Sequence, residues 1–260
     1  MRILSCVKVV PSHAYGSYQD NTIGRELILN PADLSALEEA LALRDAEGGT
    51  VTVLSMCPAQ RIPVLHSVLR LGVDHAYAVS ADEIAGSDTL STSRILAAAV
   101  RFLGTFDVIF CGGKTVDGET GQVGPQLAAF LGLPSISNCV AIRLSADKRH
   151  VVCDCMVNEG IESAQIGLPA LLTVKNGINS PRLPSIRGLA NANRAKVEPI
   201  AFHSLHVEPG SVGLTGSPTK VLRSMNRSTE MRSSSNIPAA ELAKQLDVLI
   251  RQADTEHCDA

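Results

Sequence analysis

The chain lacks an excess of positive charge. Lys and Arg number 23 against 26 Asp and Glu, a net charge of −3. The isoelectric point is near 6.2, so there is no electrostatic footprint for nucleic acid or for an anionic membrane surface. Any apolar run long enough to span a bilayer is also missing, and no membrane insertion is expected. The opening Met1–Val10 does not follow the pattern of a signal peptide. Lys8 interrupts its apolar stretch and no small-residue cleavage site follows, so it reads as a first β-strand. Paired cysteines are absent too: the seven present are odd in number and irregular in spacing. Cys6, Cys57, Cys111 and Cys139 lie in or beside apolar segments, where reduced, buried thiols of a cytoplasmic protein are expected. Cys153-Asp154-Cys155 puts two thiols on one face of a strand, but no other Cys/His pair completes a zinc site. His13, His66, His75, His150, His203, His206 and His257 form no ligand spacing, and no metal site is expected.

What is present is a hydrophobic share of 45% in 260 residues, enough for a substantial core. It is arranged as alternating strands and helices as far as about residue 135. A strand from Arg2 to Val9 is followed by a polar loop. Asn30-Pro31-Ala32-Asp33 then opens a helix, with Asn30 as N-cap, Pro31 at the first helical position and Asp33 in the first turn. Leu34, Leu37 and Leu41 form its apolar face and Gly48-Gly49 end it. A strand over Thr50 to Met56, a helix with Val64, Leu65, Val68, Leu69 and Leu71 inward and Gly72 as its stop, and a strand over Ala76 to Val79 come next. Gly86–Ser93 begins a helix running to Leu103. This repetition predicts a doubly wound, mainly parallel α/β sheet, in which ligands bind at the carboxyl ends of strands near a switch in strand order.

The next strand, Phe106–Cys111, leads into the most informative stretch, Gly112-Gly113-Lys114-Thr115-Val116-Asp117-Gly118-Glu119-Thr120-Gly121-Gln122-Val123-Gly124-Pro125, and from there into a helix ending at Gly132. Gly113-Lys114-Thr115 imitates the end of the phosphate-binding motif G-x-x-x-x-G-K-S/T. The first glycine of that motif would fall at position 108, which is Val108 within the strand, so the residues disfavour a kinase or ATPase of that type. The second half of the loop is different. Free N–H groups at a helix start favour an anion without a cationic side chain. Thr120 adds a hydroxyl, and Gly118, Gly121 and Gly124 allow close approach to the main chain. An ordinary glycine-rich turn without a ligand has the same composition.

After residue 135 the pattern becomes a run of short strands, Val140–Leu144, Val151–Val157, Glu162–Ile166 and Ala170–Val174, which predicts an antiparallel extension. An irregular stretch, Asn176–Pro184, follows, then a helix within Ser185–Lys196. From about Val197 the chain is polar and loop-rich, with a helical pattern over Ala239–Gln252, as in an arm that wraps a partner.

Several segments together resemble the β subunit of an electron transfer flavoprotein. They are Ile3-Leu4-Ser5-Cys6-Val7-Lys8, the Asn30-Pro31 helix start with Leu37-Glu38-Glu39-Ala40, Asp117–Pro125, Asn179-Ser180-Pro181-Arg182 and Gly216-Ser217-Pro218-Thr219-Lys220. The resemblance covers nearly the whole chain, most firmly residues 1–196. It implies a fold like that of adenine-nucleotide α-hydrolases over residues 1–196, a partner-docking loop at 176–184, and a C-terminal arm over 197–260 wrapping the α subunit of a heterodimer. It also implies a β-bound nucleotide. In ordinary members this is a structural AMP. In electron-bifurcating members it is the ADP portion of an FAD whose flavin accepts hydride from NADH. Gly86-Ser87-Asp88-Thr89-Leu90-Ser91-Thr92-Ser93 resembles the hydroxyl-rich segment of the bifurcating kind, although Thr89, Thr92 and Ser93 also suit a helix cap.

By the resemblance, Cys6, Asn30, Asp33 and Met56 line the adenosine end. Asp117, Gly118, Glu119, Thr120, Gly121, Gln122, Val123 and Gly124 surround the phosphates. Thr89, Thr92 and Ser93 approach the pyrophosphate, ribityl chain or flavin. No catalytic side chain is required, because the cofactor carries the redox chemistry. Ile178, beside Asn179 and Pro181, stands where relatives carry a leucine that docks an acyl-CoA dehydrogenase-like or related flavin dehydrogenase. Ferredoxin or flavodoxin is a further possible acceptor. An independent ATP-using enzyme on the same scaffold would need a serine- and glycine-rich loop after the first strand, where this chain has Lys8-Val9-Val10-Pro11-Ser12-His13. A nucleotide-sensing module without a redox role is the remaining alternative.

Overall fold

The structure is a computed structural model that describes residues 1–12, 26–220 and 241–242. The chain divides into two compact units, Met1–Lys220 and Val221–Ala260. Of the helix expected over Ala239–Gln252, only Glu241 and Leu242 fall among the described residues, and both are helical.

The first unit begins with β1 (Arg2–Cys6), β2 (Val9–Pro11), β3 (Leu27–Leu29), α1 (Pro31–Glu47), β4 (Thr50–Met56), α2 (Ile62–Leu65), β5 (His75–Val79), α3 (Thr89–Leu103), β6 (Val108–Gly112) and α4 (Val123–Leu131). It continues with β7 (Ser135–Leu144), β8 (His150–Val157), β9 (Gly160–Gly167), β10 (Ala170–Val174), α5 (Ile186–Ala192), β11 (Glu198–Ile200) and α6 (Gly213–Gly216). Nine strands form one sheet in the order β11-β5-β4-β1-β6-β10-β7-β8-β9, and β2 pairs with β3 in a small antiparallel ladder. The fold is the expected α/β class, with a mainly parallel sheet.

Both faces of the central strands are covered, which is why those strands read as continuous apolar runs. On β1, Ile3 packs into a core beneath α1, while Leu4 and Cys6 pack into a second core beneath α3 and α4. β6 alternates in the same way, with Val108 and Phe110 on the first side and Ile109 and Cys111 on the second. α1 ends at Gly48, whose φ of 74° suits glycine.

Four local expectations change. The first strand stops at Cys6, and Val9–Pro11 turns away to pair with Leu27–Leu29. The helix expected through Val64–Leu71 is a single α turn, α2, between 3₁₀ segments at Ala59–Arg61 and His66–Leu71. Pro58 and Pro63 restrict the backbone there, yet Leu65, Val68 and Leu69 are still buried. β10 does not belong to the antiparallel extension: it runs parallel between β6 and β7. Its five residues are all buried, whereas β9 is largely exposed, as an edge strand is. Within the nine-stranded sheet the antiparallel pairs are β7 with β8 and β8 with β9. Finally, Glu198–Ile200, within the stretch assigned to the arm, adds β11 in parallel to the outer edge of β5.

Candidate nucleotide-binding site

β1 lies between β4 and β6, parallel to both, so successive connections leave it toward opposite sides. In a doubly wound sheet this switch opens a crevice at the carboxyl ends of the two strands. Here it is bounded by the chain leaving β1 at Val7-Lys8, the chain leaving β6 at Gly112, and the start of α1.

Asp33, in the first turn of α1 and 5% exposed, joins those ends. Its carboxylate accepts from Lys8 N–H at 2.8 Å and from Gly112 N–H at 3.1 Å. Burial pushes its pKa from an ordinary 3.8 up to about 7, against the opposing pull of those two N–H groups, a hydrogen bond with Asn30 and the Lys8 charge. Only glycine fits at position 112, since a Cβ there would lie 2.2 Å from Asp33 Oδ1 and 2.8 Å from main-chain atoms of Ala32 and Asp33. Asn30, fully buried, occupies the N-cap position but does not cap the helix with its side chain. Its amide turns to the loop, donating to Lys114 O at 3.0 Å and accepting from Val116 N–H at 3.1 Å. Asn30 and Asp33, two of the four residues expected beside adenosine, thus hold the main chain from which the loop is built.

The loop is also fixed by Gly113 N–H to Val174 O at 2.7 Å and Glu119 N–H to Thr115 O at 2.9 Å. Asp117 and Glu119 do not form an acid–base pair. Asp117 accepts from Lys8 Nζ with both oxygens, at 2.9 and 2.7 Å, and Glu119 lies 3.6 Å from Lys114 Nζ. Partial burial raises the Asp117 pKa, but hydrogen bonds from Lys8 and Thr115 and the Lys8 charge outweigh this and hold it below the ordinary carboxylate value. Thr120 is exposed.

The three glycines play different parts. A Cβ on Gly118 would approach only Thr115 Oγ1, at 3.5 Å, and Gly121 has a φ of 64°. Gly124 is buried, and a Cβ there would lie 2.4 Å from Thr173 Cγ2, so this glycine serves close packing of α4 on β10. Gln122 is the N-cap of α4. The N–H groups of Val123 and Gly124, in the helix's first turn, have no acceptor within the helix.

α3 begins alongside. Asp88 caps it by accepting from Ser91 N–H at 2.9 Å. Thr89 donates to Gln122 Oε1 at 2.9 Å, which ties the start of α3 to the exit of the loop. Thr92, one turn on, is half-buried on the same side as Thr89. Ser93 is fully buried and its hydroxyl donates back to Thr89 O at 2.7 Å, with Val123 O at 3.3 Å also in reach. Its position is within the packing of α3 on α4.

Cys6 is 7% exposed and lies beside Cys111, whose thiol is pushed well above its ordinary pKa by a hydrogen bond with Cys6 and by burial. Met56, at the end of β4, is partly buried against the same core. The loop exit and the start of α3 lie side by side, and the free first-turn N–H groups of α4 beside the Thr89 hydroxyl are donor types that suit a phosphate.

The segment after β10 lies beside the loop after β6, because the two strands are paired. Ile178 is half-buried and packs against the core beneath α1. Asn179 donates to Ser35 O at 2.9 Å and to Glu39 Oε1 at 2.8 Å, while its own Oδ1 is buried without a partner. The Arg182 guanidinium grips Glu38 through Nε at 2.9 Å and Nη2 at 2.9 Å, and reaches Asp45 through Nη1 at 2.8 Å. Glu38-Glu39 and Asn179–Arg182, separate in sequence, are the two halves of one clamp. Pro181 is exposed. The exposed aliphatic side chains of this segment are Leu183 at 87% and Ile186 at 88%, and not Ile178. A lone leucine between Arg182 and Pro184, ahead of the Ser185 helix cap, was the available signal.

The fold and crevice define a doubly wound α/β domain with its candidate ligand site at the strand switch. Residues 22–205 match the electron transfer flavoprotein domain. The chain is 40% identical over 233 residues to the electron transfer flavoprotein subunit beta of Megasphaera elsdenii, covering 85% of this chain and 86% of that one. It is 36% identical over 236 residues to the acryloyl-CoA reductase electron transfer subunit gamma of Anaerotignum propionicum, covering 86% and 88%. It is 38% identical over 263 residues to protein FixA of Azorhizobium caulinodans, covering 97% and 93%. The chain belongs to the electron transfer flavoprotein family, and its role is in electron transport. Among the described residues no helix is long and apolar enough to cross a membrane.

Proposed function

We propose that this chain is the β subunit of a cytoplasmic heterodimer, that it holds the ADP portion of an FAD between the 117–124 loop and the start of α3, and that it works by flavin-based bifurcation. A flavin held there would supply hydride uptake from NADH and release of single electrons. The chain's own residues bind and orient. The N–H groups at the start of α4 face the phosphates, Gly118 and Gly121 admit them to the main chain, and Thr89 and Thr92 offer hydroxyls. Asn30 and Asp33 keep the loop in register. The observation that carries this reading is the hydrogen bond from Thr89 to Gln122, which joins the hydroxyl-rich helix start to the phosphate loop in one wall. A mononucleotide has no need of the second half of that wall.

The α subunit, engaged by residues beyond Lys220, completes the carrier. Electrons pass to an acyl-CoA dehydrogenase-like flavoprotein, in keeping with the names of the acryloyl-CoA reductase and caffeyl-CoA reductase relatives, and to a low-potential acceptor such as ferredoxin or flavodoxin. Leu183 and Ile186, far more exposed than the half-buried Ile178, are the side chains we assign to docking. The test is to release and count the cofactors of the co-expressed complex. Two FAD per heterodimer supports the proposal. One FAD with one AMP leaves a non-bifurcating carrier, the second reading.

A further inference from the structure

The first turn of α3 has two working sides. On one, Thr89 and Ser93 meet Gln122, Val123 and Gln126 of the loop exit. On the other it holds a distant segment, residues 213–219. Asp88 Oδ2 accepts from Thr219 N–H at 3.0 Å, and Asp88 N–H donates to Ser217 Oγ at 2.9 Å. Ser91 Oγ donates to Gly216 O at 3.3 Å and lies 3.2 Å from Ser217 Oγ. Ser87 Oγ accepts from Gly213 N–H at 3.0 Å. Ser91 is fully buried and Ser217 is 3% exposed, so their hydroxyls have exchanged water for each other and for main chain. The segment has little freedom to slide. A Cβ on Gly213, which has a φ of 66°, would fall 2.2 Å from Glu83 O, and one on Gly216 would fall 2.0 Å from the Ser211 carbonyl carbon.

We infer that Asp88, Ser91 and Ser217 form a partly buried latch that positions Thr89 for the nucleotide loop and ties nucleotide retention to the seating of the chain at Thr219, just before the residues assigned to the α subunit. The inference rests on the reading that residues 117–124 hold a nucleotide. Asp88, Ser91 and Ser217 are positioning residues: their hydrogen bonds are to the protein, and they act through Thr89 and Gln122. One carboxylate serves both sides, with Oδ1 capping α3 and Oδ2 holding Thr219. A partner that keeps Thr219 in place therefore favours the helix start that meets the nucleotide. By thermodynamic reciprocity, nucleotide binding favours the partner to the same extent.

The test uses the heterodimer with Asp88→Asn, which keeps one oxygen for the helix cap but turns an amide donor toward Thr219 N–H, and with Ser217→Ala, which deletes one hydroxyl. Cofactors are stripped and AMP and FAD are titrated back, and heterodimer dissociation is measured with and without each. The latch predicts nucleotide affinity about fivefold to tenfold weaker in both variants. It also predicts that the tightening of the heterodimer by nucleotide shrinks by the same factor. Wild-type nucleotide affinity in both variants overturns the latch. Heterodimer affinity that falls equally with and without nucleotide overturns the coupling, since that is what a merely structural role produces. Gly121→Val separates the two readings. If it too leaves nucleotide affinity unchanged, the loop assignment has failed, whereas loss there with none in the latch variants sinks the latch alone. Should Asp88→Asn fail to fold, Ser217→Ala decides.

Discussion

Two irregular segments leave the carboxyl ends of neighbouring parallel strands, residues 113–122 after β6 and residues 175–185 after β10, and α1 holds both. It holds them in opposite ways. At its buried start, Asn30 and Asp33 grip the main chain of the first segment. Further along, at its surface, Glu38, Glu39 and Asp45 grip the side chains of Asn179 and Arg182 in the second. The first segment is the one we assign to a nucleotide, and the second presents Leu183 and Ile186 to solvent. A buried clamp fixes backbone position to a fraction of an ångström. A surface clamp built from ions is weaker and yields to salt.

The comparison can be broken most forcefully at Asp33. Its folded pKa of about 7 lies above the unfolded value of 3.8. Its contribution is therefore fully present below pH 3.8 and is lost as pH rises through about 7. Across that window wild type should lose up to about 4 kcal/mol relative to Asp33→Asn. Unfolding measured in denaturant at several pH values checks this, and parallel curves would remove the buried-carboxyl account.

Next comes Gly112→Ala. Its new Cβ would meet Asp33 and rigid backbone, so a loss of about 1–3 kcal/mol is expected. Nucleotide content should fall with it, and an unchanged melting temperature with full nucleotide would contradict the clamp.

The third test contrasts Leu183→Ala with Ile178→Ala. The exposed leucine should weaken electron delivery to the partner dehydrogenase about tenfold with melting temperature and cofactor content intact. The half-buried isoleucine should mainly lower stability, by about 1 kcal/mol. The reverse pattern would return the docking role to Ile178.

The smallest effect belongs to Lys8→Ala. The ion pair with Asp117 is partly exposed, and its loss should cost no more than about 1 kcal/mol, less in high salt. A larger drop in nucleotide affinity would mean that Lys8 meets the phosphates directly.

Much of this organisation was legible in the residues. Pro31 opening α1, Gly48 closing it, Gly132 closing α4, and Val108 in place of a motif glycine are local facts, and local backbone preferences decide them. That a loop joins β6 to a helix ending at Gly132 was legible for the same reason. The roles of Asn30, Ser93 and Gly124 were not. An asparagine before Pro31 reads as a cap, yet its amide serves a loop more than 80 residues away. A glycine in a phosphate-like loop reads as a ligand contact, and nothing local shows that Gly124 also lets α4 pack closely on Thr173. Ile178 and Leu183 look alike as aliphatic residues in a proline-rich turn. Which of them is exposed depends on where Arg182 and Asn179 are tied.

By itself the sequence determined the alternation of strands and helices, the absence of a nucleotide-hydrolysing loop, and the family, because periodicity, turn chemistry and ordered motifs are properties of neighbours along the chain. Only the tertiary structure decided that β10 enters the sheet beside β6, that one helix clamps two functional segments, and that the start of α3 faces both the loop and residues 213–219. Those relations join residues roughly 30 to 145 positions apart. No local propensity encodes them: they follow from which buried polar groups can satisfy one another once the sheet has formed.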